Sequence, residues 1–194
     1  LIRRPVGHRD FFSTVGRVSD SVTRHSQNLT IFIQHFGMKS VYIESSVISY
    51  ITARPSRDVV TSARQAISIE WWDVYKDSFE IFVSELVLEE IGSGDLRAAS
   101  NRLAIVESIP VLVATTNAVV LAKSLIAENA IPASSMEDAL HISIAAVQGV
   151  DFLLTWNFKH INNANTRNRI TKAINLSGFN SPIICSPEEL INER

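Results

Sequence analysis

The chain has 194 residues, 46% of them hydrophobic and 20% charged, which fits one globular domain with a substantial core. No apolar run reaches the about 18 residues of a membrane span, and a single cysteine, Cys185, excludes an internal disulfide framework and favours a reducing, cytoplasmic setting. The formal net charge of −2 provides no overall field for nucleic acid, so such binding requires a local patch.

The first part of the chain differs in charge from the rest. Residues 1–37 hold five arginines against Asp10 and Asp20, a balance of +3, so residues 38–194 carry −5, the difference between −2 and +3. The segment has no clear periodicity, and a strand pattern begins just after Met38. We interpret residues 1–37 as a non-native or unstructured leader, with a transit peptide as the alternative, and expect residues 38–194 to form the folded domain.

Short apolar strands alternate with helical segments after this point, which indicates right-handed crossovers and a parallel sheet. We predict an α/β fold of three layers, with about five parallel strands flanked by helices. The predicted strands are 41–45, 79–84, 109–115, 151–155 and 182–185, and the predicted helices are 56–74, 85–91, 95–107, 116–129, 134–149, a segment within 162–177, and one that starts at Ser186.

Two helices carry more detailed expectations. Ser56 is the predicted cap of the first helix. Ser134 and Ser135 stand at capping-box spacing before Glu137 and Asp138, and the helix that follows is apolar on nearly every side, so we expect it to be buried. The first helix has apolar residues at intervals of three and four: Val59, Ala63, Ala66, Ile67, Trp71 and Val74.

Four polar side chains fall near the carboxyl ends of the strands, where such sheets bind ligands. We call this edge of the sheet the rim. Glu44 ends the first strand, and Glu90 lies on the helix after the second. Asp138 opens the buried helix and Asn157 follows the fourth strand. Asp138 also suits a helix N-terminus, which favours it by about 0.3–1 kcal/mol, Glu90 also suits a solvated helix face, and Asn157 also suits a turn. Glu44 is harder to explain in this way, because a Glu rarely enters a buried rim without a partner.

Carboxylates that cluster repel one another, so a site of this kind implies a cation. Carboxylate, amide and water oxygens suit Mg²⁺ or Mn²⁺ rather than Zn²⁺, and the Cys/His spacings of a zinc site are missing. No G-x-G-x-x-G, Walker A or G-x-S-x-G sequence supports nucleotide binding or α/β-hydrolase chemistry.

The neighbours of these residues have two readings each. His141 either orients Asp138 or is a satisfied core residue. Lys159 and His160 follow Asn157 and either meet a phosphate or belong to an ordinary surface loop. Three tryptophans either stack on bases or pack inside the domain: Trp71, Trp72 and Trp156.

Four stretches, taken in order, resemble PIN-domain proteins of the VapC-like toxin group, over about residues 39–191. They are "VYIESSVISYITARPS", "FVSELVLEEIGSGD", "EDALHISIAAVQGVDFLLTWNFKHI" and "GFNSPIICSPEEL". The resemblance implies a metal-dependent endoribonuclease with a PIN-like parallel sheet, whose carboxylates hold Mg²⁺ or Mn²⁺. It also implies a cognate antitoxin that covers this rim, and it makes a homodimer possible.

The family's functional positions fall on residues already singled out. Its three acids match Glu44, Glu90 and Asp138, and the hydroxyl that accompanies the first acid matches Ser46. The fourth position, commonly Asp, is Asn157, and Glu44 stands where Asp is more usual. Loss of a charge at Asn157 weakens a second metal more than the first, and we interpret Asn157 as a neutral ligand or a residue that positions water.

The working hypothesis is one Mg²⁺ or Mn²⁺ held by Glu44, Glu90 and Asp138 beside an RNA phosphate. Asn157 and Ser46 then hold water or phosphate, and three basic side chains contact the RNA backbone: Lys159, His160 and Arg167. One alternative is a PIN-fold module that binds RNA or protein with little catalysis. Another is hydrolysis of DNA or a small phosphoester.

Overall fold

Five parallel strands form the sheet of the computed structural model, which describes residues 37–191. Their order across the sheet is β3-β2-β1-β4-β5, and all four pairings are parallel, as predicted. The strands are β1 (Lys39–Ile43), β2 (Phe79–Ser84), β3 (Val111–Leu112), β4 (Phe152–Leu154) and β5 (Ile183–Cys185).

The connections between the strands are helical. A π-helical turn (Trp71–Tyr75) and a 3-10 turn (Lys76–Ser78) link α2 to β2, and a 3-10 turn (Pro187–Leu190) follows β5. The α-helices are α1 (Ser45–Thr52), α2 (Val59–Glu70), α3 (Glu85–Ile91), α4 (Leu96–Val106), α5 (Thr116–Ala127), α6 (Met136–Gln148) and α7 (Arg167–Leu176).

The central strand is covered on both faces. Val41, Tyr42 and Ile43 are each 0% exposed, and successive residues of a strand point to opposite faces. The predicted burial of α6 is also confirmed, since residues 139–146 are all buried. The sequence prediction of a layered α/β fold is therefore confirmed.

Two predicted strand boundaries were wrong. β1 ends at Ile43, and residues 45–52 form a helix that the β-branched pattern of the sequence concealed. The third strand is far shorter than 109–115: the carbonyl of Pro110 accepts from Val83 N at 3.1 Å, but proline has no N–H to continue the ladder. Because β3 lies at the sheet edge, it pairs on one side only.

The predictions for the first helix were also wrong in part. Asp58, not Ser56, caps α2 by accepting a hydrogen bond from Thr61 N at 2.8 Å. Val59, the first of the apolar residues at helical spacing, is 81% exposed. Gln65 and Ser68 face inward instead.

These buried polar side chains have partners, which is why the helix can turn this face inward. Gln65 accepts from Ser56 N and donates to Arg54 O, each at 2.9 Å. Ser68 Oγ accepts from Trp156 Nε1 at 2.7 Å. The periodicity of the apolar residues therefore predicted the helix correctly, and its buried residues are Gln65 and Ser68.

Three further expectations have separate outcomes. Ser135 is at the N-cap of α6, but its side chain makes no capping bond to the backbone, so the predicted capping boxes do not form. The predicted leader lies outside the described residues, apart from Gly37. Among residues 37–191, no helix combines the length and apolarity needed to cross a bilayer.

Candidate metal centre at the carboxyl end of the sheet

The topology creates a crevice between β1 and β4. The chain leaves β1 to build β2 and β3 on one side and then returns to place β4 on the other side. At such a switch point the connections diverge, and ligands bind outside the carboxyl ends of the two strands. Glu44 follows β1 directly, and Thr155 and Asn157 follow β4.

Glu44 is the N-cap of α1 and is only 5% exposed. Its Oε1 accepts from Ser45 Oγ at 2.7 Å and from Ser46 N at 3.1 Å. Its Oε2 accepts from Thr155 Oγ1 at 2.7 Å and from the Ser46 hydroxyl. A carboxylate offers about four lone-pair positions, so these neutral donors occupy the acceptor positions of Glu44 and tie the ends of β1 and β4 together.

Ser46 therefore has a role in this linkage. Its hydroxyl donates to Glu44 and accepts from Trp156 N at 2.9 Å. The oxygen thus joins the start of α1 to the chain that leaves β4.

Glu90, on α3, is held by a buried histidine. His141 Nε2 lies 3.1 Å from Glu90 Oε2, and His141 is 1% exposed. On its other side, His141 Nδ1 lies 2.7 Å from Tyr42 Oη, which lies 2.7 Å from Ser84 Oγ. The chain of hydrogen bonds fixes the imidazole plane and aims it at Glu90.

Glu90 and His141 each shift the pKa of the other. Burial would lower the pKa of His141, but the hydrogen bond and negative charge of Glu90 outweigh it and raise that pKa. Burial would raise the pKa of Glu90, but the hydrogen bond and charge of His141 lower it. Burial also raises the pKa of the Tyr42 hydroxyl, so this group stays protonated.

Asp138 is bound by an amide. Asn157 Nδ2 donates to Asp138 Oδ1 at 2.7 Å, and Asn157 Oδ1 accepts from His160 N at 3.1 Å. Burial raises the pKa of Asp138; the positive charges of His160 and His141 act against this, and the charge of Glu44 adds to it. Asp138 therefore lies within electrostatic range of the other rim residues.

Three of these side chains approach closely enough to share an ion. Ligand atoms of Glu44, Glu90 and His141 all lie within 4.8 Å of one another. One Mg²⁺ at about 2.1 Å from each of two ligands allows at most about 4.2 Å between them, and His141 Nε2 lies 3.1 Å from Glu90 Oε2. The two carboxylates offer oxygen ligands of the kind that Mg²⁺ and Mn²⁺ prefer.

The sequence prediction of a metal set made of Glu44, Glu90 and Asp138 stays a prediction. The structure brings Glu44 and Glu90 together and adds His141, while Asp138 lies beside this group with its Oδ1 on Asn157.

The side chains proposed to contact RNA differ in how far they are exposed. His160 is partly buried and close enough to influence Asp138, whereas Lys159 is exposed. Arg167, also exposed, bonds to Asn162 Oδ1. Trp71 is fully buried and Trp156 is 6% exposed, which favours the packing role for both.

One group beside the rim was missed in the sequence. The Arg64 guanidinium lies over the rings of Trp156 and Phe158, at 5.4 and 5.2 Å from their centroids. Phe158 is 41% exposed and directly follows Asn157. No local signal identifies Arg64, because it reaches the rim from α2, far away in sequence.

No protein-family model matches the chain, and no curated protein matches it. Among solved structures it is similar to Mycobacterium tuberculosis VapC20, a Sarcin-Ricin loop cleaving toxin, at 16% identity and a TM-score of 0.49, over 64% of this chain and 95% of that one. It is also similar to a chain of VapBC2 from Rickettsia felis bound to a DNA fragment from their promoter, at 13% identity and a TM-score of 0.50, over 75% of this chain and 97% of that one. The second likeness shows the fold, which is that of VapC-like PIN domains, as the sequence resemblance implies.

Proposed function

We propose that this chain is a metal-dependent endoribonuclease that cleaves single-stranded or structured RNA and acts as the toxin of a toxin–antitoxin pair in the cytoplasm. The observation that carries the proposal is the close approach of Glu44, Glu90 and His141 at the switch point of the sheet, within 4.8 Å. Carboxylates gathered at this place are the usual holders of a catalytic divalent ion.

Glu44 and Glu90, with Asp138 beside them, hold the ion in this proposal. A bound Mg²⁺ or Mn²⁺ lowers the pKa of a water that it binds and offsets charge on the phosphoryl oxygens. His141 holds Glu90 in place, and Asn157 holds Asp138.

The substrate contacts follow from the surface of the rim. Lys159 and His160 follow Asn157 and are the proposed contacts to the RNA backbone, so we expect binding that weakens with salt. Ser46 supports Glu44 through its hydroxyl. A cognate antitoxin then inhibits by covering the rim, and a homodimer is part of the same proposal.

The test is cleavage of single-stranded RNA by the full chain with Mn²⁺, with EDTA, and after Asp138→Asn. We expect cleavage with Mn²⁺ and none with EDTA or in the variant. Asp77→Asn is the matched control, because Asp77 is exposed and precedes β2 at the opposite end of the sheet. Cleavage that survives both chelation and Asp138→Asn contradicts the proposal, and equal cleavage of duplex DNA would favour phosphodiester hydrolysis of broader scope.

A second candidate is a binding module with little catalysis. It is favoured by one observation: the Glu44 carboxylate already accepts hydrogen bonds from Ser45, Ser46 and Thr155. A divalent ion must displace at least one of these donors. Retention of RNA without turnover, at saturating Mn²⁺ and high protein concentration, would support this candidate over the nuclease.

A further inference from the structure

We propose that the rim takes a single divalent ion, because the Asn157 amide occupies the position beside Asp138 that a second ion needs. The inference rests on the proposed function and specifies the metal count of the same site.

The orientation of the Asn157 amide is set from both ends. Nδ2 donates to Asp138 Oδ1 at 2.7 Å, and Oδ1 accepts from His160 N at 3.1 Å. The reversed amide would place its oxygen against the Asp138 carboxylate and its NH₂ group against the His160 N–H. Both contacts are repulsive, so only the observed orientation satisfies all of the groups.

An amide nitrogen in this position blocks an ion. Its lone pair is delocalised into the carbonyl, so it does not act as a ligand, and its hydrogen points at Asp138 Oδ1. An ion between Asn157 and Asp138 needs an oxygen ligand from each residue, at about 2.1 Å from the ion. Here the atom that faces Asp138 Oδ1 is instead a donor nitrogen, Asn157 Nδ2, at 2.7 Å from that oxygen.

The residue is also fixed by its backbone. Asn157 N donates to Thr155 Oγ1 at 2.9 Å, and Asn157 O accepts from Asn162 N at 2.8 Å. Thr155 Oγ1 in turn donates to Glu44 at 2.7 Å. Hydrogen bonds thus link Glu44, Thr155, Asn157 and Asp138 in turn, and they hold the backbone of Asn157 in place beside Asp138.

The distribution of charge agrees with one ion. Glu44 and Glu90 lie together and would hold the ion of the proposed site, whereas a second ion beside Asp138 would have that residue as its charged ligand and the neutral Asn157 next to it. An aspartate in place of Asn157 would set two carboxylates at this short distance, where they repel each other unless a cation or a shared proton lies between them.

The experiment is calorimetric titration of the metal-free full chain with Mn²⁺, for wild type, Asn157→Asp and Asn165→Asp. Asn165 is an exposed residue of the same loop, so its variant adds the same charge without facing Asp138. We expect one Mn²⁺ per chain for wild type and Asn165→Asp, and two for Asn157→Asp. Electron paramagnetic resonance should show coupling between two Mn²⁺ ions in Asn157→Asp alone.

Thermal unfolding gives a readout that is independent of catalysis. In EDTA, Asn157→Asp should melt below wild type because of the two facing carboxylates, and Mn²⁺ should raise its melting temperature more than that of wild type. Two ions in wild type, or one ion in a folded Asn157→Asp, overturn the inference, and the wild-type count decides alone if that variant does not fold. No Mn²⁺ uptake by wild type overturns the proposed function itself, which is a separate result.

Discussion

The two ends of the sheet join β1 to β4 with similar groups but differ in charge. At the amino end, Asp151 Oδ2 accepts from Ser40 N and Ser40 Oγ at 2.9 and 3.0 Å, and Oδ1 pairs with Lys39 Nζ at 2.7 Å. At the carboxyl end, Glu44 accepts from Ser46 and Thr155.

The difference lies in how each negative charge is balanced. The hydrogen bonds from Lys39 and Ser40, with the lysine charge, outweigh burial and lower the pKa of Asp151. Glu44 has hydroxyl and amide donors instead, with Glu90 and Asp138 close enough to interact with its neighbours. The amino end is therefore a structural clamp, while the carboxyl end keeps an excess of negative charge that a cation can balance.

The largest expected effect is a difference in RNA cleavage between variants at the two ends of the sheet. Glu44→Gln should lower RNA cleavage at least about 100-fold, because even indirect partners of metal ligands contribute 10–100-fold. Asp151→Asn should leave cleavage unchanged, since it lies at the other end of the sheet. Both are measured as initial rates with saturating Mn²⁺, and equal losses in the two variants would remove the distinction between the ends.

The next effect concerns the pair that holds Glu90. His141→Gln should lower the free energy of unfolding by about 2 kcal/mol near pH 6, because charged hydrogen bonds contribute about 1.5–3 kcal/mol. The raised pKa of His141 makes this stabilisation complete below its unfolded value of 6.5 and lost as pH rises through the folded pKa.

The lower limit of this window comes from Glu90. Its lowered pKa gives stability above its unfolded value of 4.5, which is lost as pH falls through the folded pKa. Urea denaturation in EDTA, at about pH 6 and about pH 9, should show the smaller difference between wild type and variant at the higher pH. A difference that grows with pH would contradict a charged His141.

A smaller effect concerns stability, which we expect to change in opposite directions when an aspartate is replaced at each end of the sheet. Burial raises the pKa of Asp138, so its ionised form opposes folding at neutral pH, and Asp138→Asn should raise the melting temperature of the metal-free protein. Asp151→Asn should lower stability by roughly 1 kcal/mol, a modest value because water screens a carboxylate that is partly exposed. Melting curves in EDTA that move in the same direction for both variants would contradict the comparison.

The smallest effect lies at the end of β5. Burial raises the pKa of the Cys185 thiol to about 12, so little thiolate exists at neutral pH. A thiol reagent should leave the folded protein almost unmodified and react fully in urea. Rapid labelling of the native chain would show that this strand end opens readily.

Sequence patterns predicted the layered fold, the buried α6 and the places of Glu44 and Asn157 after their strands, because these follow from alternation and local spacing. They did not predict α1, since "SSVISYI" has the composition of a strand, and they placed the cap of α2 at Ser56 instead of Asp58. The bond between His141 and Glu90, and the reach of Arg64, depend on how separate elements pack together, which no local pattern records. The ligand set itself stays a prediction.

The bond between Thr155 and Glu44 spans 111 positions of the chain. Contacts this distant form late, because the loop that separates them must close before they can stabilise anything. During synthesis, the crevice is incomplete until β4 has emerged from the ribosome and docked beside β1. For a protein proposed to cut RNA, this long-range assembly postpones activity until β4 has been synthesised and docked.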